Sequence, residues 1–340
     1  MNIFFPPEWY PQSGVLIAFP HESTDWCNIL DEATECYVAF SKEILKREKL
    51  LVLCTDDDAV TKYFSPEEQK NLIVVEMDTN DTWTRDYGAI SVYVNEKPTI
   101  IDFGFNAWGL KFAANFDNQA TGKLFEKNVF QPGVAYCNQL NFILEGGSIE
   151  SDGKGTILTT TECLMAPNRN QPMSKTDIEA HLKKTLGANR VLWLDYGYLE
   201  GDDTDSHVDT LARFCNENTI AYVKCDDKTD VHFTELKKME AQLRTFVNFE
   251  GNAYTLIDLP MADAVFFEGR RLPATYANFL IINGAVLMPT YQSPKDDIAK
   301  AQLQKAFPDR EIIGINCLPL IKQHGSLHCV TMQFPEGFLS

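Results

Sequence analysis

Five times along the chain, an unusual polar residue opens a short apolar pattern of the kind that forms a strand. These residues are Asp86, Glu145, His207, Asn278 and Cys329, at intervals of 59, 62, 71 and 51 residues. Behind them recurs a unit made of a strand pair, a helix and a further strand. Cyclic repeats of strand-rich units are typical of a closed, propeller-like array whose equivalent strand ends meet near the axis. The repeat therefore predicts one α/β domain over residues 1–340, with the five polar side chains in a central pocket.

Apolar runs, helical spacing and turn signals define the elements of this unit. The predicted strand pairs are 89–94 with 99–103, 148–150 with 156–160, 207–214 with 219–223, and 278–282 with 286–289. The predicted helices are 31–48, 174–186, 234–247 and 294–307. The remaining predicted strands are 14–19, 50–54, 72–75, 190–194, 254–258, 311–315 and 325–333.

Composition limits the classes of partner and the compartment. A net charge of −18 argues against a nucleic-acid partner, because phosphates would be repelled, and favours a cationic small molecule. Nine cysteines, with no CxxC pair, indicate reduced thiols rather than a disulfide framework. The N-terminal sequence MNIFFPPEWYP is unlike a signal peptide, and no apolar stretch reaches membrane-spanning length. We therefore expect a cytoplasmic protein without a membrane partner, and homo-oligomer formation stays open.

The segment 201–210, GDDTDSHVDT, concentrates four carboxylates and one histidine in ten residues. If residues 206–214 form a strand, His207 and Asp209 point to the same face, because alternate side chains share a face of a strand. A histidine beside a carboxylate can hold a cation and move protons. The alternative is an Asp-rich turn, since Asp caps turns and tolerates unusual backbone angles.

Cys329 is the candidate nucleophile, with a small buried core residue as the alternative. Its thiolate would attack an electrophilic carbon, and His207 would protonate the leaving group and then activate water. Asp86, Asp209 and Glu145 offer only acceptors, which suits a guanidinium because this group is planar, always charged and rich in N–H donors.

Three buried carboxylates without a cation would repel one another and raise their pKa values, so the substrate is expected to supply the compensating charge. Trp83 could lay its ring against that cation. His324 and His328 stand four residues apart, but Gly325 and Ser326 between them disfavour a zinc-binding helix. No HExxH, GxGxxG or GxxxxGK pattern occurs, so neither a metal nor another cofactor is predicted.

Segments taken in order along the chain resemble the agmatine deiminases, in the bacterial peptidyl-arginine deiminase-like branch of the guanidino-group-modifying superfamily. They are TWTRD (82–86), DFGFNAWG (102–109), LEGGSIESDGKGTILTT (144–160), CLMAPNRN (163–170), GDDTDSHVD (201–209), YANFLIINGAVLMP (276–289) and LHC (327–329). The resemblance implies the pentein fold, a five-bladed pseudo-symmetric α/β propeller with a central active site. The implied roles are nucleophile for Cys329, general acid/base for His207, guanidinium ligands for Asp86 and Asp209, supporting carboxylate for Glu145, and pocket wall for Trp83.

The substrate tail is the remaining question. A related enzyme that acts on peptidyl-arginine holds the substrate carboxylate with arginines in the segment matching 105–110, which reads FNAWGL here, without arginine. Agmatine, which lacks that carboxylate, therefore fits better than arginine. Its ammonium group could meet Asp202, Asp203 or Asp205, each of which could equally be a solvated turn residue. Asp203 and Asn278 complete the predicted substrate contacts.

The reaction implied is hydrolysis of agmatine to N-carbamoylputrescine and ammonia, a step of putrescine synthesis. The alternatives are a deiminase of arginine or peptidyl-arginine, an amidinotransferase that passes the amidino group to an amine, and a binding protein without catalytic activity.

Overall fold

The computed structural model describes residues 2–340 as a mixed α/β protein with nineteen strands in six sheets. The strands are β1 Ile3–Phe4, β2 Gln12–Ala18, β3 Lys49–Cys54, β4 Leu72–Glu76, β5 Ile90–Val94, β6 Lys97–Gly104, β7 Ala135–Ile143, β8 Ile149–Ser151, β9 Thr156–Thr160, β10 Arg190–Leu194, β11 Ala212–Asn216, β12 Thr219–Lys224, β13 Thr255–Pro260, β14 Phe266–Phe267, β15 Arg270–Arg271, β16 Leu280–Ile282, β17 Ala285–Thr290, β18 Glu311–Asn316 and β19 Met332–Pro335.

The helices are α1 Leu30–Leu45, α2 Asp57–Thr61, α3 Thr84–Tyr87, α4 Ala107–Leu110, α5 Ala120–Glu126, α6 Thr161–Leu164, α7 Lys175–Leu186, α8 Phe233–Leu243, α9 Lys295–Ala306 and α10 Leu318–Ile321. Short 3-10 helices occur at Cys27–Ile29, Glu68–Asn71, Asp117–Gln119, Gly146–Ser148 and Val208–Thr210. Within residues 2–340, no helix has the length and apolar character needed to cross a lipid bilayer.

Five sheets share one topology. In each, two antiparallel strands are followed by a third that runs parallel to the second: β5-β6-β7, β8-β9-β10, β11-β12-β13, β16-β17-β18 and β19-β2-β3. Parallel neighbours need a crossover connection, and here α5, α7, α8, α9 and α1 supply it. The fifth sheet joins the two ends of the chain, because β19 pairs with β2.

Local sequence explains most of these elements. On α1 the buried residues Ala33, Tyr37, Phe40 and Ile44 recur at helical spacing, so one face packs on the core. At the start of α7, Ser174 forms a capping box with the residue three positions on. The predicted hairpin turn at 283–284 joins β16 and β17 as expected.

Three predicted strands were wrong at their first residues. The predicted strands 207–214, 278–282 and 325–333 begin only at β11, β16 and β19. Ahead of β11 and β19, a threonine side chain binds the local backbone, which competes with strand pairing. Thr210 donates its hydroxyl to the His207 carbonyl oxygen, and Thr331 donates to the His328 carbonyl oxygen. The polar residues therefore lie in tight turns ahead of the strands.

Candidate active site

The segments ahead of the first strands of the five sheets meet at one place. Gly147 marks the point of closest approach: a Cβ atom there would lie 2.7 Å from His207 Nδ1, 2.9 Å from Asp86 Oδ1 and 3.1 Å from Asp209 Oδ2. Only glycine fits, because any side chain would push into these three groups. Cys329 lies beside them, with Sγ 3.9 Å from Asp209 Oδ2. The structure thus brings together the predicted nucleophile, base and carboxylates.

Asp86, on α3, is a buried carboxylate held by two N–H donors. Trp108 Nε1 donates to Oδ2 at 2.9 Å, and the Gly147 amide donates to Oδ1 at 2.9 Å. Burial raises the pKa of Asp86 to about 6, although the nearby His207 opposes the shift. Each carboxylate oxygen has a second acceptor position, so Asp86 can still receive N–H groups of a substrate.

The Trp108 contact depends on an unusual backbone turn. Four successive residues, Ala107 to Leu110, have positive φ angles of 51°, 57°, 89° and 69°, so α4 is a left-handed turn. Each non-glycine residue in this conformation costs about 1–2 kcal/mol. Strain of this kind persists where the surroundings enforce it, and it concentrates at functional sites. Here the turn directs the Trp108 indole at Asp86.

Cys329 is held by Asn278, which stands ahead of β16. The Asn278 Oδ1 atom accepts from the backbone N–H groups of His328 at 2.9 Å and Cys329 at 3.3 Å, and lies 3.4 Å from Sγ. Asn278 is fully buried, and its Nδ2 donates to the Asp209 carbonyl oxygen. These contacts place Asn278 against the cysteine turn, and its predicted substrate contact stays a prediction.

The Cys329 thiol is protonated in the free protein. Burial raises its pKa well above the usual range, and the charges of Asp209 and Asp86 raise it further. A thiolate beside two carboxylates needs an added cation. A bound guanidinium would bring that cation to the point where the sulfur needs it.

Asp209 faces the site without sharing a strand with His207. Residues 208–210 form a 3-10 turn, so the predicted common strand face was wrong, although both side chains reach the site. Asp209 Oδ2 contacts His328 Nδ1 at 2.7 Å, whereas Oδ1 is buried without a hydrogen-bond partner among residues 2–340. Burial opposes its ionisation, but the His328 contact and the charges of His328 and His207 hold the pKa of Asp209 below its usual range.

Glu145 has a cationic partner that the sequence patterns did not reveal. Arg169 donates from Nε to the Glu145 carboxylate at 2.9 Å and from Nη1 to Asp205 at 2.6 Å. The expectation that only the substrate compensates the buried carboxylates was therefore wrong for Glu145. This arginine lies within the segment CLMAPNRN, which is similar to the family, and that similarity is the feature of the sequence that could have pointed to it.

His207 is the group that can hold a proton beside the carboxylates. Although burial disfavours its charge, Asp86, Cys163 and Glu145 raise the pKa of His207 well above its usual range. A ring nitrogen of His207 lies within 4.8 Å of the Cys163 and Glu145 ligand atoms. That trio could bind a metal only by displacing Arg169 from Glu145, and the second such group, Glu8, Glu150 and His328, is similarly occupied by Arg213.

A cavity of about 770 Å³ leads from the surface to Asp86 and Cys329. Trp83 forms part of its wall, and Gly325 allows this, because a Cβ atom there would meet the indole at 2.1 Å. The lining also includes a set of acidic side chains along the wall and at the mouth. They are Asp25, Asp81, Asp117, Asp202 and Asp203.

Of the three carboxylates predicted for the substrate tail, Asp203 is the one that remains available. Asp205 pairs with Arg169 and Lys111, while Asp202 accepts from Thr204 and from a backbone amide. Burial raises the pKa of the Asp203 carboxyl to about 6, and the neighbouring Asp202 adds to the shift. The lining also contains one arginine, Arg270, on the exposed strand β15, although FNAWGL contributes none.

Comparisons with known proteins identify the family of the chain. The model of the Porphyromonas-type peptidyl-arginine deiminase family matches residues 4–335. A Legionella pneumophila (strain Paris) protein, named as a candidate agmatine deiminase, is 31% identical over 99% of this chain and 96% of its own.

Two solved structures cover nearly the whole chain. A Porphyromonas gingivalis protein, described as a candidate arginine deiminase, is 51% identical with a TM-score of 0.97 and covers 100% of both chains. A cysteine-to-serine variant of C. jejuni agmatine deiminase with substrate bound is 38% identical with a TM-score of 0.91, covering 98% of this chain and 97% of that one. The neighbours have the pentein fold, so the predicted fold class is confirmed. This chain belongs to the Porphyromonas-type peptidyl-arginine deiminase family.

Proposed function

We propose that this protein hydrolyses agmatine to N-carbamoylputrescine and ammonia. The observation that carries the proposal is the arrangement of two buried carboxylates, Asp86 and Asp209, around a buried thiol at the end of an acid-lined cavity. Such a site fits a planar cation at its floor and a second positive charge toward its mouth. Agmatine carries a guanidinium and an ammonium at opposite ends. The names of relatives support this class of substrate.

In the first step, the guanidinium binds between Asp86 and Asp209 and offsets their negative charge. The Cys329 thiol then loses its proton to solvent, because the bound cation lowers the pKa of the sulfur. The sulfur attacks the guanidinium carbon and forms a C–S bond. Trp108 and Gly147 keep Asp86 oriented by donating to its two oxygens. Fixed charges of this kind stabilise the transition state without reorganising.

Ammonia leaves next, and His207 supplies the proton that it takes. The raised pKa of His207 keeps this residue charged in the free protein, so it begins as an acid. Once neutral, His207 removes a proton from water, and the resulting hydroxide attacks the amidino carbon. The C–S bond breaks, and the ureido product leaves with Cys329 restored. Glu145 and Arg169 hold the surroundings of His207 through their buried ion pair.

Arginine is the second candidate substrate, and Arg270 is the observation that favours it. An arginine substrate has both an ammonium and a carboxylate at its far end. Asp203 could receive the ammonium, and Arg270 could receive the carboxylate, because both line the cavity. Arg270 is exposed on a two-stranded hairpin, so holding a ligand would cost side-chain entropy. Asp203 is half-buried, and agmatine therefore remains the preferred substrate.

The test is ammonia and ureido-product formation with agmatine, arginine, a C-terminal arginyl peptide and other guanidino compounds. We expect turnover of agmatine at a kcat/KM roughly 10- to 150-fold above that for arginine, since a charged contact is worth about 1.5–3 kcal/mol. Preferred turnover of arginine would keep the chemistry and overturn the substrate. A new guanidino product formed when an acceptor amine is added would show an amidinotransferase. Folded protein with no turnover of any compound would contradict the proposal altogether.

A further inference from the structure

Behind the cysteine turn, His328 lies between two carboxylates that come from opposite ends of the sequence. Its Nδ1 atom is 2.7 Å from Asp209 Oδ2, and its Nε2 atom is 2.7 Å from Glu8 Oε2. Glu8 belongs to the N-terminal segment between β1 and β2 and is buried with the other two. The three side chains form a continuous line, here called the Glu8–His328–Asp209 relay, that ends 3.9 Å from Cys329 Sγ.

The two short contacts fix the number of protons in the relay. A neutral imidazole carries one N–H and one lone pair, so it can donate to one carboxylate and not to both. At 2.7 Å, a lone pair facing a carboxylate oxygen with no hydrogen between them would be repulsive. Both contacts therefore contain a hydrogen. The relay holds two protons and has a net charge of −1, whichever of its three groups holds them.

Glu8 is the residue of the relay that its neighbours hold most firmly in place. Arg213 binds the same Glu8 oxygen that His328 contacts, and the backbone amide of Ile281 donates to the other Glu8 oxygen at 2.6 Å. Arg213 in turn pairs with Glu150. The other charged or titratable groups that face the relay are Arg85, Glu48 and Arg310 on the Glu8 and His328 side, and Asp86, His207 and Cys329 on the Asp209 side. Burial, Arg213 and Arg85 lower the pKa of His328, whereas the charge of Glu8 raises it. The two 2.7 Å contacts nevertheless require a second proton, and Glu8 supplies the buried negative charge that supports it.

We propose that Glu8 and His328 are positioning residues that keep Asp209 ionised, with its unpartnered Oδ1 presented to the guanidinium. The inference rests on the proposed role of Asp209 as a guanidinium ligand. Asp209 is fully buried close to a second carboxylate, Asp86, and both features favour its protonated form. A charged donor from His328 offsets them. A protonated Asp209 would lack the charge that a guanidinium needs.

The kinetic test uses Glu8→Gln. Without the Glu8 charge, an imidazolium beside Arg213 is disfavoured, so His328 becomes neutral and the pKa of Asp209 rises. We expect kcat/KM for agmatine to fall roughly tenfold for each unit by which that pKa exceeds the assay pH. The ratio of wild-type to variant kcat/KM should therefore shrink steadily as the pH is raised from about 6 to about 9. His328→Gln removes the charged donor directly and should show the same trend.

Glu150→Gln is the matched control. Glu150 is an equally buried carboxylate paired with Arg213, but it accepts from Arg213 and the Phe214 amide rather than from His328. Its replacement likewise removes a buried carboxylate beside Arg213. Burial raises the pKa of Glu150 to about 7, so the wild-type protein has its charge only at the higher pH, and the ratio of wild-type to Glu150→Gln kcat/KM should not shrink as the pH rises. A ratio for Glu8→Gln that likewise fails to shrink as the pH rises would reduce Glu8 to a structural residue and overturn the proposal.

The spectroscopic test does not depend on turnover, and its first measurement uses the wild-type protein alone. In wild-type protein labelled with ¹⁵N on histidine, both ring nitrogens of His328 should show slowly exchanging, hydrogen-bonded protons. Folded Glu8→Gln should lose one of them, and Glu150→Gln should keep both. A single ring proton in the wild type would contradict the relay. Both ring protons in a protein with no deiminase activity would support the relay and reject the proposed function.

Discussion

The floor and the mouth of the cavity are built differently. At the floor, Asp86, His207, Asp209 and Cys329 are buried, and hydrogen bonds or ion pairs from neighbouring sheets hold them in place. At the mouth, Arg270 and Phe112 are exposed and the Asp203 loop is half-buried. Buried pairs at the floor fix the chemistry, whereas a few charges on loops at the mouth can select the substrate. Changes at the floor should therefore alter kcat, and changes at the mouth should alter KM.

The largest effect should come from Cys329→Ser. A hydroxyl cannot supply the nucleophile that the covalent step needs, so we expect kcat to fall by ~1,000-fold or more while agmatine still binds. Rapid acid quenching followed by mass spectrometry should find an amidino adduct on the wild-type cysteine and none on the variant. Cys27→Ser is the control, because Cys27 is exposed and does not line the cavity. Near-normal turnover by Cys329→Ser would exclude the covalent route.

Asp86→Asn should have the second-largest effect on activity. The amide keeps the shape and the Trp108 contact but removes the charge that faces the guanidinium. Losing one oriented charge at a buried site costs about 2.7–4 kcal/mol, so kcat/KM should fall roughly 100- to 1,000-fold. Steady-state kinetics with agmatine, together with thermal unfolding to show that the variant folds, measure this. A rise in KM with kcat unchanged would show that Asp86 contributes to substrate binding alone, as we expect for residues at the mouth, and not to the chemical step.

The pH profile tests the same residue without a mutation. Burial raises the pKa of Asp86 to about 6, and the protonated form cannot hold a guanidinium. The dependence of kcat/KM on pH reports groups of the free enzyme, and the proton that Cys329 must lose makes the rate rise about tenfold per pH unit below the pKa of the thiol. Protonation of Asp86 should add a steeper acid limb below about pH 6, where the rate falls by a further tenfold per unit. The raised pKa of Asp86 also means that its charge destabilises the fold, so this contribution weakens as the pH falls through 6. An acid limb that persists unchanged in Asp86→Asn would assign it to another group.

The sequence allowed some parts of the fold and of the site to be predicted and not others. The polar residue ahead of each first strand, the hairpins and the helices at 31–48 and 174–186 are local patterns, and they predicted the repeat and the convergence of Asp86, His207 and Cys329. Strand β7 was missed because the amides Asn138, Gln139 and Asn141 interrupt its apolar pattern. The assignment of residues 1–340 to one domain stays a prediction.

The missed residues act through pairs that no local pattern encodes. Glu8 meets His328 across 320 positions, and Arg169 meets Glu145 across 24. The left-handed turn at Trp108 was hidden as well, because three of its four residues are not glycine. Sequence therefore located the groups that meet around Gly147, but not the buried partners that set their charge.

The smallest effect should come from the mouth. Asp203→Asn removes the carboxylate proposed to receive the agmatine ammonium, so KM should rise roughly fivefold to 30-fold, with kcat within about twofold, because a partly screened charge contact is worth about 1–2 kcal/mol. Arg270→Gln is the matched control at the same rim, and agmatine kinetics should change less than about twofold, since agmatine has no carboxylate. If Arg270→Gln lowers the residual activity on arginine while Asp203→Asn leaves the kinetics with agmatine unchanged, the mouth binds the ammonium and carboxylate end of an amino acid. In that case the floor would keep its chemistry and the substrate would be arginine.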